Sequence, residues 1–149
     1  MFTKNSVFTR RKALAVVFTA ALVLLALILL RWRGGAHPNL STQDGREKFL
    51  QSLGWEIDLS SEELRSVRLP DSFDGVMAEY ARMQAEQGLD LSAHCGESCE
   101  QYSYTLTNYP DCGDRVIITL YVRRGRLIAG DIHTAALDGF MHGIFRDCD

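Results

Sequence analysis

Val116 to Val122 reads VIITLYV, an apolar and largely β-branched segment that decides the fold. Its side chains are apolar at both alternating positions, which is typical of a strand covered on both faces. The preceding segment, Tyr102 to Thr107 (YSYTLT), alternates large apolar with small polar residues, as expected of a half-buried strand. Arg124-Gly125 predicts a tight turn into a third strand, Leu127 to Ile132. Short connections between adjacent strands predict a mostly antiparallel sheet.

Two helices are predicted on the N-terminal side of these strands. Ser41 or Thr42 can cap the first helix, and Gly54 stands where it should stop. The second helix is expected to open at Asp71 or Ser72 and to close at Gly88. Its apolar residues repeat at helical spacing and are expected to face the core: Phe73, Val76, Met77, Tyr80 and Met83. Two short strands are predicted between the helices, Trp55–Leu59 and Leu64–Leu69.

These elements predict an α+β domain in which two helices pack on one face of a mostly antiparallel sheet of about four strands. The chain has 149 residues, which is room for one such domain. We divide it into a cytoplasmic tail (1–12), a transmembrane helix (13–30), a linker (31–40) and an extracytoplasmic domain (41–149).

The transmembrane helix is predicted from Ala13 to Leu30, eighteen residues without a charge or a proline. As a helix this run spans roughly 27 Å, close to the hydrocarbon thickness of a bilayer. A cleaved signal peptide is the alternative, but its apolar run is shorter and ends in small residues. Here Arg31-Trp32-Arg33 follows, which is typical of a membrane-interface flank and favours an uncleaved anchor.

The charge distribution predicts the orientation of the chain in the membrane and disfavours one class of partner. Four basic residues precede the span and two follow it closely, which predicts a cytoplasmic N-terminus and a C-terminal domain outside the membrane. From Gly34 onward the chain holds ten Lys or Arg and nineteen Asp or Glu, so its formal charge is 10 − 19 = −9. This charge disfavours nucleic acid as a partner, because phosphate would be repelled.

Several segments together resemble a known family of domains: FLQSLGWEID (49–58), LPDSF (69–73) with Tyr80 and Gln84, QGLDL (87–91), YSYTLTNYP (102–110), Gly130-Asp131 and LDGFMHG (137–143). Their order and spacing are similar to those of single-span, membrane-anchored proteins of Gram-positive, largely spore-forming bacteria. That family is known as a domain of unknown function. The resemblance covers about Ser41 to Ile144, and it implies a domain extent but no activity. The cysteines of this chain are not part of the family pattern.

Four cysteines lie in the part predicted to be extracytoplasmic: Cys95, Cys99, Cys112 and Cys148. An even number in an oxidising compartment predicts disulfides, and three pairings are possible. Cys99 and Cys112 flank opposite ends of one predicted strand, which separates them by roughly 26 Å. We therefore expect Cys95–Cys99 together with Cys112–Cys148.

Metal binding is the alternative for part of this set. His94, Cys95 and Cys99 (HCGESC) supply three ligands of the kinds that zinc accepts, and a fourth ligand could come from His37, His133 or His142. Thiols outside the cytoplasm more often oxidise than bind zinc, so no metal and no cofactor is expected.

A candidate functional surface is predicted in Asp131 to His142 (DIHTAALDGFMH). Asp131 and His133 lie on the same side if the strand persists, and Asp138 and His142 share a face if that segment is helical. An acid that orients an imidazole is the arrangement of a general base. The alternative is structural: Asp138 caps a turn and the neighbouring apolar residues fill the core.

Two hypotheses follow for function. The first is a membrane-anchored module that binds a protein, a peptide or an envelope component without catalysis. The second is a small hydrolase that uses Asp138 and His142, with or without a metal. The sequence has no GxSxG, no HExxH and no glycine-rich phosphate loop, so the binding module is preferred.

Overall fold

The computed structural model describes residues 38–110, 113–134, 136 and 139–145. In chain order the elements are α1 (Gln43–Ser52), β1 (Ile57–Arg68), α2 (Gly75–Glu86), a 3₁₀ turn (Leu91–His94), β2 (Ser98–Leu106), β3 (Val116–Arg123), β4 (Arg126–Thr134) and β5 (Met141–Gly143). The predicted α+β class is confirmed. The sheet has five strands where the sequence predicts about four.

The sheet is antiparallel, and its strands lie in the order β1-β2-β3-β4-β5. β3 is the central strand, as its sequence predicts. Ile118 on β3 lies opposite Tyr104 of β2 and Ile132 of β4, and its side chain is fully buried. Because the strand order follows the chain order, no connection has to cross the sheet.

The two short strands predicted before α2 are one strand, β1, with an irregularity between Asp58 and Glu63. Hydrogen bonds to Asp58 cause the local change of register. Asp58 Oδ1 accepts from Ser60 N at 2.9 Å, and the Asp58 carbonyl accepts from Ser61 Oγ at 2.7 Å. Local hydrogen bonds of this kind between side chains and backbone interrupt the β1–β2 hydrogen bonds without ending the strand.

α1 begins and ends as predicted. Thr42 Oγ1 accepts a hydrogen bond from Gly45 N at 3.2 Å, and Gly54 follows the helix with a φ of 80° that favours glycine. Leu50 is fully buried in the same hydrophobic cluster as Ile118. We call the side of the sheet that this cluster covers the α1 face.

α2 lies on the opposite side, the α2 face, so the prediction that both helices share one face is wrong. Tyr80 of α2 contacts Tyr121 edge to face, with 6.2 Å between ring centroids. Tyr121 alternates along β3 with Leu120 and Val122, which belong to the α1-face cluster. The reason lies in β3, whose two faces are both apolar, so each needs a cover.

α2 also begins later than predicted, after Asp74 rather than at Asp71 or Ser72. Gly75 has a φ of 50°, which lies outside the right-handed helical region. A right-handed helix therefore cannot continue from Gly75 toward Asp71.

The described residues from Pro38 onward form one compact unit. This unit has two hydrophobic clusters, one on each face of the sheet. In the part of the chain that the structure describes, no helix is long and apolar enough to cross a membrane. The predicted span (13–30) and tail (1–12) lie outside the described residues, so both stay predictions.

Candidate functional site

A groove of about 500 Å³ opens on the α2 face, between α2, the 3₁₀ turn and the sheet. We call it the apolar groove, because aliphatic, aromatic and methionine side chains form most of its wall. It is lined by Val67, Arg68, Leu69, Pro70, Val76, Met77, Glu79, Tyr80, Met83, Leu91, Gln101, Thr119, Tyr121, Asp131, His133 and Met141.

The apolar stripe of α2 lines this groove, so the prediction that it faces the core is only partly correct. Phe73 and Tyr80 pack against the α2-face cluster. Val76, in contrast, is 85% exposed, and Met141 on β5 is 55% exposed. These two are among the four large hydrophobic residues exposed in the described part of the chain, and both line the groove. Exposed apolar side chains gathered at one concavity are typical of a binding surface.

α2 is held at the sheet edge by two glutamines, which the sequence analysis names only as part of the family resemblance. Gln84 is fully buried; its Oε1 accepts from Gly130 N at 2.9 Å, and its Nε2 donates to the Gly130 carbonyl at 3.1 Å. Gln87 Nε2 donates to the same carbonyl, and Gln87 Oε1 accepts from Ile144 N at 2.6 Å. β5 pairs with β4 only from Asp131 onward, so the glutamines complete the ladder where β5 ends.

Asp131 lies at the floor of the groove and is 3% exposed. Its Oδ1 accepts from the Tyr80 hydroxyl at 2.6 Å, and its Oδ2 accepts from His133 Nδ1 at 2.7 Å. Asp131 and His133 both belong to β4, two residues apart, and they lie on the same side as the sequence predicts. Tyr80 comes from α2, 51 residues earlier, and the sequence indicated it only as a core-facing residue of the helix and as part of the family resemblance, without a contact to Asp131.

The carboxylate sets the protonation of its neighbours. The hydrogen bond from His133 to Asp131 raises the pKa of His133, although partial burial acts in the opposite direction. Burial, together with the charge of Asp131, raises the pKa of Tyr80, so this hydroxyl stays a donor. Burial also raises the pKa of Tyr121 to about 12. The raised pKa values favour protonation of the His133 imidazole and keep the Tyr80 and Tyr121 phenols neutral near neutral pH.

A second concavity, the polar pocket, adjoins the groove and has a volume of about 180 Å³. It is lined by Ser61, Glu63, Arg65, Gln101, Ser103, Tyr104, Arg115, Ile117, Thr119 and His133. Arg65 pairs with Glu63 at 3.1 Å, and Arg115 Nε donates to Thr105 Oγ1 at 2.9 Å. His133 lines both concavities, and among the described residues its Nε2 has no hydrogen-bond partner.

His142, the other predicted histidine, belongs to strand β5, so the helical arrangement considered for it is wrong. Its Nδ1 lies 2.7 Å from the Gly143 carbonyl and its Nε2 lies 2.8 Å from the Tyr109 hydroxyl. A ring with its proton on Nδ1 satisfies both contacts, and it stacks on Phe140. These contacts fix the orientation of the His142 ring. Asp138 lies outside the described residues.

The predicted cysteine pair Cys95–Cys99 is absent: both thiols are free. Cys99 is buried in β2, and burial raises the pKa of its thiol. Between the two cysteines the backbone is fixed by Gly96 N, which donates to the Pro70 carbonyl at 2.8 Å. Cys112 and Cys148 lie outside the described residues, so their pairing stays a prediction.

The described residues do not gather the candidate zinc ligands into one cluster. His94 Nδ1 contacts Glu97 Oε2 at 2.7 Å, and Cys99 packs in the core. No three His, Cys, Asp or Glu side chains of the described ranges come together in a way that could hold a metal ion. Within the described ranges, His94, Cys95 and Cys99 are close in sequence but do not form a cluster of three ligands.

The described residues thus bring together Asp131 and His133 from the predicted surface and add Tyr80. The resemblance to the single-span family of spore-forming bacteria stays a prediction. No family model, no curated protein and no solved structure matches this chain.

Proposed function

We propose that this chain is a membrane-anchored module that binds an envelope component outside the cytoplasm, without catalysis, through the apolar groove. The observation that carries the proposal is the groove itself: a concavity of about 500 Å³ with an apolar wall and one buried polar cluster at its floor. Small-molecule sites have this combination, in which apolar walls give affinity and a few placed polar groups give orientation.

The dimensions favour a small ligand over a protein partner. The volume falls within the range of roughly 300–1,000 Å³ that is usual for ligand pockets. A stable protein interface needs a broad surface, about 800 Å² on each partner. β1 is an edge strand that carries Glu62, Glu63, Arg65 and Arg68, and charges along an edge oppose the addition of a partner strand.

The anchoring part of the proposal rests on the apolar run 13–30 and its basic flanks. We expect the full chain to stay in the membrane fraction after an alkaline wash, and a chain that begins at Pro38 to be released. Protease added to intact cells or spheroplasts should digest the C-terminal domain. Protection of that domain until the cells are lysed would contradict the orientation.

Binding in the groove can be tested with an apolar fluorophore, N-phenylnaphthylamine, and two matched variants of Pro38–Asp149. Val76 lines the groove and is 85% exposed, whereas Leu64 is 58% exposed on β1 and does not line it. A charged side chain at either position stays exposed and does not have to be buried in the core. We expect Val76→Asp to weaken probe binding about tenfold, because it places a charge beside an apolar ligand. Leu64→Asp should bind like the parent protein.

Equal binding by the parent and by Val76→Asp would mean that the probe lies elsewhere, and the groove would lose its proposed role. Thermal unfolding of both variants checks that each is folded. Loss of binding in both variants would indicate a general surface effect and would also contradict the proposal.

A hydrolase is the second candidate, and one observation favours it. Asp131 holds Nδ1 of His133, which is how a carboxylate orients a general base, and Nε2 lacks a partner among the described residues. Nitrophenyl esters of short and long acyl chains are suitable substrates. Turnover that His133→Gln abolishes and His142→Gln preserves would support catalysis. Equal background hydrolysis by all three proteins would dismiss it.

A further inference from the structure

The apolar groove and the polar pocket meet at three shared residues: Gln101, Thr119 and His133. These residues come from β2, β3 and β4, so the boundary crosses the middle of the α2 face. On one side of the boundary the wall is apolar and is covered by α2. On the other side it carries hydroxyl groups, an amide and charged side chains. A ligand that lies across the boundary must therefore be apolar at one end and polar at the other.

The polar side carries excess positive charge. Arg65 and Arg115 stand against Glu63, which gives +2 − 1 = +1 before His133 is counted. Arg115 donates to Thr105 Oγ1 but forms no ion pair with the described residues. Asp131 lines the apolar groove but not the polar pocket, and its two carboxylate oxygens accept hydrogen bonds from Tyr80 and His133. This positive spot contrasts with the charge of −9 from Gly34 onward.

We propose that the ligand is an anionic amphiphile: one acyl chain lies in the apolar groove, and the carboxylate or phosphate next to it binds His133 Nε2 and Arg115. This inference rests on the proposed function and names its ligand class. A free fatty acid and an anionic phospholipid offer the same chemistry, an acyl chain beside an anion.

Other ligand classes fit less well. A cationic amphiphile would bring its charge against Arg115 and a protonated His133. Because Nδ1 of His133 donates to Asp131, its Nε2 becomes a donor when the ring is protonated. An uncharged chain would leave this donor and the Arg115 guanidinium without an acceptor, and unsatisfied donors oppose binding when they lose water. An anion accepts from both through charge-assisted hydrogen bonds, which are the stronger kind.

The test uses the full chain in nanodiscs of zwitterionic lipid. Three photoactivatable probes are added in turn: a fatty acid with a diazirine near the chain end, the fatty alcohol of equal length, and a phosphatidylglycerol with the same labelled chain. Labelled peptides are identified by mass spectrometry. We expect the fatty acid or the phosphatidylglycerol to label α2 about tenfold more than the alcohol, as two added charge-assisted bonds allow.

Two variants locate the anion. Arg115→Gln and His133→Gln should each reduce anionic labelling of α2 toward the alcohol level. Arg126→Gln is the matched control, since Arg126 is exposed on β4 and lines neither concavity, and its labelling should be unchanged. Arg115 is exposed, so its substitution is not expected to unfold the domain.

The outcomes separate this inference from the proposed function. Equal labelling of α2 by the acid, the phospholipid and the alcohol would overturn the anionic ligand and leave apolar binding intact. Labelling that is absent from α2 with all three probes would overturn both. Preference for the fatty acid, or for the phospholipid, over the alcohol supports the inference and identifies the source of the anion.

Discussion

Each face of the sheet buries a charged side chain, and the two differ in what surrounds the charge. On the α1 face, Arg46 is 3% exposed. Its Nε donates to the Tyr104 hydroxyl at 2.6 Å, its Nη1 to the Leu40 carbonyl at 2.9 Å and its Nη2 to Glu62 at 2.7 Å. The guanidinium also covers the ring of Tyr102 at 3.6 Å from its centroid. Each of the three guanidinium nitrogens therefore has a hydrogen-bond partner within the protein.

On the α2 face, Asp131 is equally buried, but the cluster around it stays open to a groove. Tyr80 and His133 occupy the two carboxylate oxygens, and His133 lines both concavities. Arg46 completes its contacts inside the protein and joins α1 to the sheet. The Asp131 cluster leaves His133 Nε2 without a partner among the described residues, and this is the atom that we propose binds a ligand.

The largest expected effect comes from breaking the closed cluster. Arg46→Met leaves Glu62 and the Tyr104 hydroxyl without their cation, and we expect the free energy of unfolding to fall by about 3 kcal/mol. Burial opposes ionisation of Glu62, but hydrogen bonds from Tyr104 and Arg46 outweigh it and lower its pKa. Urea unfolding of Pro38–Asp149 measures the loss. Lys48→Met is the control on the same helix, since the pair of Lys48 with Asp44 is exposed.

A loss no greater than that of Lys48→Met would show that the Arg46 cluster is not structural. Fluorophore binding at low temperature should survive in Arg46→Met, because the groove lies on the other face. Loss of binding in a variant that is still folded would break the proposed separation of the two faces.

The next effect concerns the attachment of α2. Gln84→Leu leaves the buried Gly130 N–H without an acceptor, while Gln87 still donates to the Gly130 carbonyl. We expect a loss of about 2 kcal/mol, because one buried donor is left unsatisfied. Probe binding should weaken as well, since α2 forms one wall of the groove. Gln51→Leu on α1, whose amide contacts only the exposed Glu47, should change neither quantity.

The smallest effect is a pH dependence at His133. The folded pKa of His133 is raised above its usual value of 6.5 by Asp131. The stabilisation is therefore complete below about pH 6.5 and is lost as the pH rises through the raised pKa. The stability difference between the parent and His133→Gln should be larger at pH 5.5 than at pH 9. The charged or titratable residues that line the two concavities together with His133 are Glu63, Arg65, Arg68, Glu79, Tyr80, Tyr104, Arg115, Tyr121 and Asp131.

Asp131→Asn is the reference background for this measurement, because it removes the carboxylate that raises the pKa. In that background the effect of His133→Gln should vary little between pH 5.5 and pH 9. A difference of the same size and slope in both backgrounds would show that Asp131 does not control His133.

The strands and the first helix could be predicted because their signals are local. Alternation in Tyr102–Thr107, the doubly apolar Val116–Val122 and the cap at Thr42 each act over a few residues. β1 was divided wrongly because the Asp58 turn resembles a strand end in sequence. The prediction that both helices pack on one face was wrong because no local sequence pattern specifies which face of the sheet a helix covers.

Only part of the candidate site could be predicted from the sequence. Asp131 and His133 share a strand two residues apart, and the strand period alone places them together. Tyr80 looked like a core residue in a helical stripe, and Gln84 looked like an ordinary polar residue. Their partners lie 51 and 46 residues away, and only packing creates these contacts. Cys95 and Cys99 are close in sequence, yet both thiols are free in the described structure.

The sequence by itself determined the α+β class, the antiparallel strands, the caps of α1 and the shared side of Asp131 and His133. These follow from backbone sterics and from hydrophobic periodicity, which act between neighbours in the chain. The tertiary structure alone decided that α2 covers the second face, that two glutamines complete the ladder where β5 ends, and that a groove opens beside Tyr80. These depend on how the volumes of distant side chains fit together, which no short-range pattern encodes.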